Sequence, residues 1–253
     1  MADKEFPYVY PYSCEEAKRL GELDYWKESR KENIVCKDAI KAAIRRDFDG
    51  MRLKADCAGR VIEEFGYHRV AYVLANSIQH KDYDGRFSQG NKAWAKQTYI
   101  PPDKNSFGDD YRTSFVADSH PAVLDGFVNQ YRRAYQGLGM FDHTHCLPDT
   151  AKQDFEGKVV VLSPRNLREK CLTPQDQLWL CTGGFGSHAD ARGRAVYATN
   201  LGDGEKTRWN RSDFLGVLAD SHLPDWAREK LAELQGQAQT AGDTSEMGGM
   251  TMQ

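Results

Sequence analysis

No stretch of this 253-residue chain comes near the ~20 consecutive apolar residues that a membrane-spanning helix needs. The opening Met1-Ala2-Asp3-Lys4-Glu5-Phe6 is charged and lacks the apolar core of a secretion signal, so a cytoplasmic location is expected. The six cysteines (Cys14, Cys36, Cys57, Cys146, Cys171, Cys181) are scattered, without a C-x-x-C pair. That pattern points to reduced thiols rather than a disulfide framework. An excess of either charge is also missing: 34 basic residues face 37 acidic ones, for a net charge of −3. Split at residue 150, the balance is 22 against 23 and then 12 against 14, so neither half is a basic module built to neutralise many phosphates. No G-x-S-x-G, H-E-x-x-H or kinase signature is present, which lowers the odds of a familiar hydrolase.

What is present is the composition of a folded protein, 40% hydrophobic and 11% aromatic. Whole-chain disorder needs few aromatics and high net charge, so it is excluded. The length fits one large domain or two of about 100–200 residues each.

The first half is patterned for helices. Tyr8 to Tyr12 is expected to be extended around Pro7 and Pro11, and Ser13-Cys14-Glu15-Glu16 has the form of a capping box opening a short helix that Gly21 ends. Helices are expected over 23–46, with Trp26, Cys36, Ile40 and Ile44 on one face, over 55–65, and over 68–79. The 68–79 segment is apolar nearly all round, which places it mid-core and Asn76 inside with it. Ser88 caps a short helix carrying Trp94, 101–110 reads as loop and 111–117 as a short strand. Ser119-His120-Pro121 opens a helix with Ser119 as cap and Leu124, Phe127, Val128, Tyr131 and Tyr135 inward.

Beyond a stretch read as linker, the period changes. Strands are expected at 158–162, 177–181 and 195–199, with Asp203-Gly204 turning into a return strand at 206–209. Ser212 is expected to cap a short helix to Leu218, and Pro224 to open a final helix with Ala227, Leu231 and Leu234 inward. The predicted fold is α+β: an all-α helical domain over 7–136, a linker over 137–157, a small α+β domain with a three- to four-stranded antiparallel sheet over 158–235, and a disordered tail over 236–253.

Four places carry residues suited to chemistry. Asn76, Gln79, His80, Asp82, Asp84, Arg86 and Asn91 crowd one helix–loop–helix corner, which Asp118 and His120 could join. His80, Asp82, Asp84 and His120 are the catalytic candidates, since an imidazole beside a carboxylate serves as general base, while caps, turns and ion pairs explain the same residues without chemistry. Asp82-Tyr83-Asp84-Gly85-Arg86 is not a calcium loop, because the twelfth position, Ala93, is not an acid. His143, His145 and Cys146 are candidate metal ligands: in an extended segment the two imidazoles project to one side. The other reading is a polar linker, and no cofactor is expected. Gly183-Gly184-Phe185-Gly186 fits neither a dinucleotide fingerprint nor a phosphate loop. Arg192, Arg194, Arg208, Trp209 and Arg211 lie on or beside one hairpin, as in a surface that pairs phosphates and stacks bases, or as in a core tryptophan with a solvated rim.

The sequence from Tyr10 to Tyr135 resembles the bacterial domain-of-unknown-function family numbered 3849. Tyr10-Pro11-Tyr12, Gly21-Glu22, Tyr25, Ser29, Asn33, residues 73–79, Asp84-Gly85-Arg86-Phe87-Ser88, Asn91, Trp94-Ala95 and Ser119-His120-Pro121 carry the likeness. Residues 178–186, 192–196 and 223–227 resemble modules that accompany it. The resemblance implies an accessory gene of conjugative elements or phages in gut Firmicutes, and brings no catalytic residue with it. The leading expectation is a non-enzymatic protein that binds a host or element protein, for instance to blunt a defence system. The alternatives are a nucleic-acid-binding factor using 192–211 and an enzyme using 80–86 with 118–120.

Overall fold

The Ser13 hydroxyl accepts the Glu16 N–H at 3.2 Å and starts helix α1 (Cys14–Leu20). The Glu16 carboxylate completes no capping box; it pairs with Arg19 along the helix. Gly21, at φ 74, closes α1 in the left-handed conformation that glycine adopts without steric cost. The computed structural model describes residues 9–104, 110–111, 115–117 and 119–234. The predicted tail over 236–253 lies outside them. The chain divides into two units, Met1–Gly137 and Leu138–Gln253.

The first unit continues with α2 (Leu23–Asp47), α3 (Cys57–Phe65), α4 (Tyr67–His80), α5 (Gln89–Lys96) and α6 (Pro121–Gln136). Two short strands, β1 (Asp103–Lys104) and β2 (Asp110–Tyr111), form an antiparallel ladder where the sequence reads mainly as loop. The apolar faces converge on one core containing Cys36, Ile40, Val61, Val70, Leu74, Ile78, Leu124, Phe127 and Val128. Helix α4 runs through it, with Asn76 2% exposed, as its all-round apolar pattern requires. Helix α6 starts one residue later than expected: His120 is the N-cap and Pro121 opens the first turn, where its missing N–H costs nothing.

The second unit is built on a five-stranded antiparallel sheet in the order β6-β5-β4-β3-β7. Its strands are β3 (Val159–Leu162), β4 (Leu178–Gly183), β5 (Ala195–Asn200), β6 (Lys206–Asn210) and β7 (Phe214–Val217). A single helical turn, α7 (Pro174–Gln177), precedes β4, and a helix over 225–234 (α8) follows the sheet. Strand β7 corrects the helix expected after Ser212. Asn210 and Asp213 cap each other around the one turn Arg211–Asp213, so the capping chemistry is used up there. The chain then extends and pairs with β3, whose four residues are all buried. A run buried on both faces reads as continuous apolar sequence and needs a neighbour on each edge. One face of the sheet carries Val160, Leu162, Trp179, Val196 and Phe214, and the other Val159, Val161 and Leu178 under Ala227, Leu231 and Leu234 of α8.

The stretch 137–157, read as linker, is not a free tether. Gln177, fully buried, accepts the Phe141 N–H at 2.7 Å and donates to the Phe141 and Leu162 carbonyls. Leu147 N–H donates to the Val217 carbonyl at 2.8 Å, and Phe155 is fully buried with its N–H on the Ser187 carbonyl.

Candidate functional site

The polar corner of the first unit resolves into separate local tasks. Asn76 on α4 accepts the Phe115 N–H at 2.8 Å, and its neighbour Ser77 accepts the Ala117 N–H at 3.0 Å, so two side chains dock the 115–117 segment, which is not part of a strand. Gln79 donates to the carbonyls of Ala95 and Thr98 at 2.7 and 2.8 Å, tying α4 to the end of α5 and the turn after it. Asn91, fully buried, donates to Asp125 and Asn129 and accepts from Arg132 at 2.7 Å, tying α5 to α6. Asp84 and Arg86 form a two-bond ion pair that holds the Asp84 carboxyl well below the usual carboxylate range. Asp82 pairs with Lys96 at 3.2 Å. His80 and His120 are both exposed, one ending α4 and the other preceding α6. Asp118 lies outside the described residues. Asn76, Gln79 and Asn91 thus act as buried or half-buried braces. The ionic residues Asp82, Asp84 and Arg86 form two separate pairs.

The 142–146 segment is wound, not extended. Asp142 accepts the N–H and hydroxyl of Thr144 at 2.8 and 2.6 Å and caps a turn over His143–His145. His145 folds back to take the Asp142 N–H at 3.1 Å, its ring edge-on to Phe141 and to His222. His143 stays exposed while His145 is half-buried, and the wound turn replaces the extended geometry on which the shared side was expected. Among the described residues no group of three or more His, Cys, Asp or Glu converges to hold a metal ion. Burial pushes the Cys146 thiol up to about 11 and those of Cys36 and Cys57 to about 12, opposite to the shift that activates a nucleophilic thiolate.

The basic hairpin divides into two populations. Arg211 is 5% exposed and is part of the interior. Its guanidinium donates to the carbonyls of Gly186 at 2.9 Å, Thr150 at 2.8 Å and Gln153 at 2.6 Å. Trp209 is half-buried and packs edge-on against Trp179 with centroids 5.4 Å apart, which makes it core rather than a stacking surface. Arg192, Arg194, Lys206 and Arg208 are exposed, and none of them forms an ion pair among the described residues.

Two exposed aromatics sit in the same region: Tyr197 on β5, 52% exposed, and Phe185 in the preceding loop, 78% exposed. Tyr197 is paired with Arg208 across the β5–β6 ladder, and directly opposed residues share a face of the sheet. Neither aromatic is singled out by the sequence reading, although strand alternation gave a signal for one. With Val196 and Ala198 facing the core, Tyr197 must face the other way.

The chain therefore has the α+β class, with a helical first unit and an antiparallel sheet in the second. The family model described as "Protein of unknown function (DUF3849)" matches residues 9–136, within the helical unit, and the chain belongs to that family. Searches of curated proteins and of solved structures returned no match. Among the described residues no helix is long and apolar enough to cross a membrane.

Proposed function

We propose that this protein is a non-enzymatic accessory factor of a bacterial mobile genetic element or phage, and that its second unit binds nucleic acid. The observation that carries this reading is the cation set Arg192, Arg194, Lys206 and Arg208, exposed beside two exposed aromatics and without a carboxylate partner among the described residues. Charges left unpaired at a surface are available to phosphates, and binding through them releases counterions. Resemblance to proteins of conjugative elements and phages supports the accessory role.

The test is affinity capture from lysate at low and high salt, with retained nucleic acid and protein both identified. Retention of nucleic acid that falls steeply with salt, and is lost in the Arg192→Glu/Arg208→Glu double variant, is expected. Arg211 is not a residue for this experiment, because reversing its charge would disrupt the interior. Salt-insensitive retention, or capture of a host protein alone, overturns the nucleic-acid reading in favour of a protein target.

A further inference from the structure

We infer that the Tyr197 ring is a stacking platform for an unpaired base, so that the ligand of the second unit is single-stranded nucleic acid; this rests on the nucleic-acid reading above. The β4 residue opposite Tyr197 is Gly183, which puts no side chain beside the ring. The next residue, Gly184, lies so close that a Cβ built on it would stand 3.1 Å from Tyr197 Cδ2. Glycine at 184 thus keeps a side chain from crowding that edge of the ring, which stays 52% exposed. The loop after β4 presents Phe185, the second exposed aromatic.

On the other side, Arg208 stands directly across from Tyr197, and Lys206, two residues along β6, shares its face. The 192–194 turn leads into β5 with two more exposed arginines. An aromatic face bordered by cations matches a single strand, whose bases expose their rings while the backbone carries the charge. A duplex fits poorly, since its bases present only their edges in the grooves.

The experiment is fluorescence anisotropy with labelled single-stranded DNA of mixed sequence, the RNA of the same sequence, and the annealed DNA duplex. The proteins are wild type, Tyr197→Ala, Tyr197→Phe, Phe185→Ala and Arg192→Glu/Arg208→Glu, each checked by circular dichroism. Single strands should bind more tightly than duplex. Tyr197→Ala should weaken single-strand binding about tenfold or more while Tyr197→Phe retains it, since stacking needs the ring and not the hydroxyl. If duplex binds as well as single strand and both alanine variants bind like wild type, while the double arginine variant weakens both, the stacking inference fails and the nucleic-acid function stands. If wild type binds no oligonucleotide at low salt, or no variant changes binding, both fail.

Discussion

The Arg211 guanidinium sits over the Phe155 ring, with its central carbon 3.8 Å from the ring centroid. Cation and ring are both interior, and the guanidinium also gathers carbonyls from residues 150–153 and 186–187. Burial lowers the Arg211 pKa and the Asp154 and Asp190 carboxylates oppose that shift, while its N–H donors are matched by carbonyl oxygens. One side chain thereby fastens two loops that are distant in sequence to the end of the sheet.

Arg211→Ala should destabilise the protein by about 2–4 kcal/mol, from the loss of charge-assisted hydrogen bonds and of the ring contact. Arg211→Lys should recover only part of that, because an ammonium cannot reproduce the fork that reaches separate carbonyls. Denaturant unfolding measures both. A wild-type midpoint for Arg211→Ala would show that the interior arrangement contributes nothing.

Asn91→Ala should cost about 2–3 kcal/mol, more than an exposed polar truncation, because it strips partners from Asp125, Asn129 and Arg132 together. Asn91→Asp keeps the shape but sets a carboxylate where the amide now donates to Asp125 Oδ1 at 2.8 Å. Thermal melts should rank wild type above both variants, and equal melting temperatures would refute the bracing role.

The helices were legible because their signals are local. Apolar residues recur at helical spacing, Ser13 and Ser88 cap, and Gly21 stops, all within a turn or two of sequence. Strand β7 was not: a serine followed by a short apolar run has the form of a capped helix, and only pairing with β3 across about 50 residues of chain makes it a strand. Arg211 was illegible for a related reason. An arginine in a basic run reads as surface, and the carbonyls that draw it inward come from loops far away in the sequence. Trp209 was left between core and surface by its sequence, and the Trp179 contact decides for the core. In the polar corner the sequence shows which polar residues lie close along the chain, but what each bonds to depends on how α4, α5 and α6 pack.

Gly184→Ala should destabilise the second unit by about 1–3 kcal/mol, since φ is +103 there and the new Cβ would lie 2.6 Å from the Ala195 carbonyl oxygen. Gly183→Ala meets no atom within 4 Å, so only its backbone conformation opposes the change and its effect should be smaller. Parallel melts of the two variants give the comparison, and equal or inverted effects would contradict the close approach of the loop to β5.

Asp47 ends α2 with its side chain 3% exposed, and its carboxylate accepts from Arg46 at 2.8 Å and from Arg60 of α3 at 2.6 Å. Hydrogen bonds from Arg46 and then Arg60 outweigh burial and hold its pKa at about 2. In the unfolded chain an aspartate titrates near ~3.9. The folded value is the lower one, so the unfolded state takes up the proton first as the solution is acidified. The stabilisation from this carboxylate is therefore complete above the unfolded value and is lost as pH falls through about 2. Asp47→Asn removes the charge at every pH. It should be less stable than wild type by a constant amount from neutral pH down to about 5, and the gap should close between roughly 4 and 2. Unfolding midpoints of the two proteins across that range test the linkage, and a gap that stays the same at every pH would mean that the Arg46–Asp47–Arg60 arrangement contributes no net charge interaction to folding.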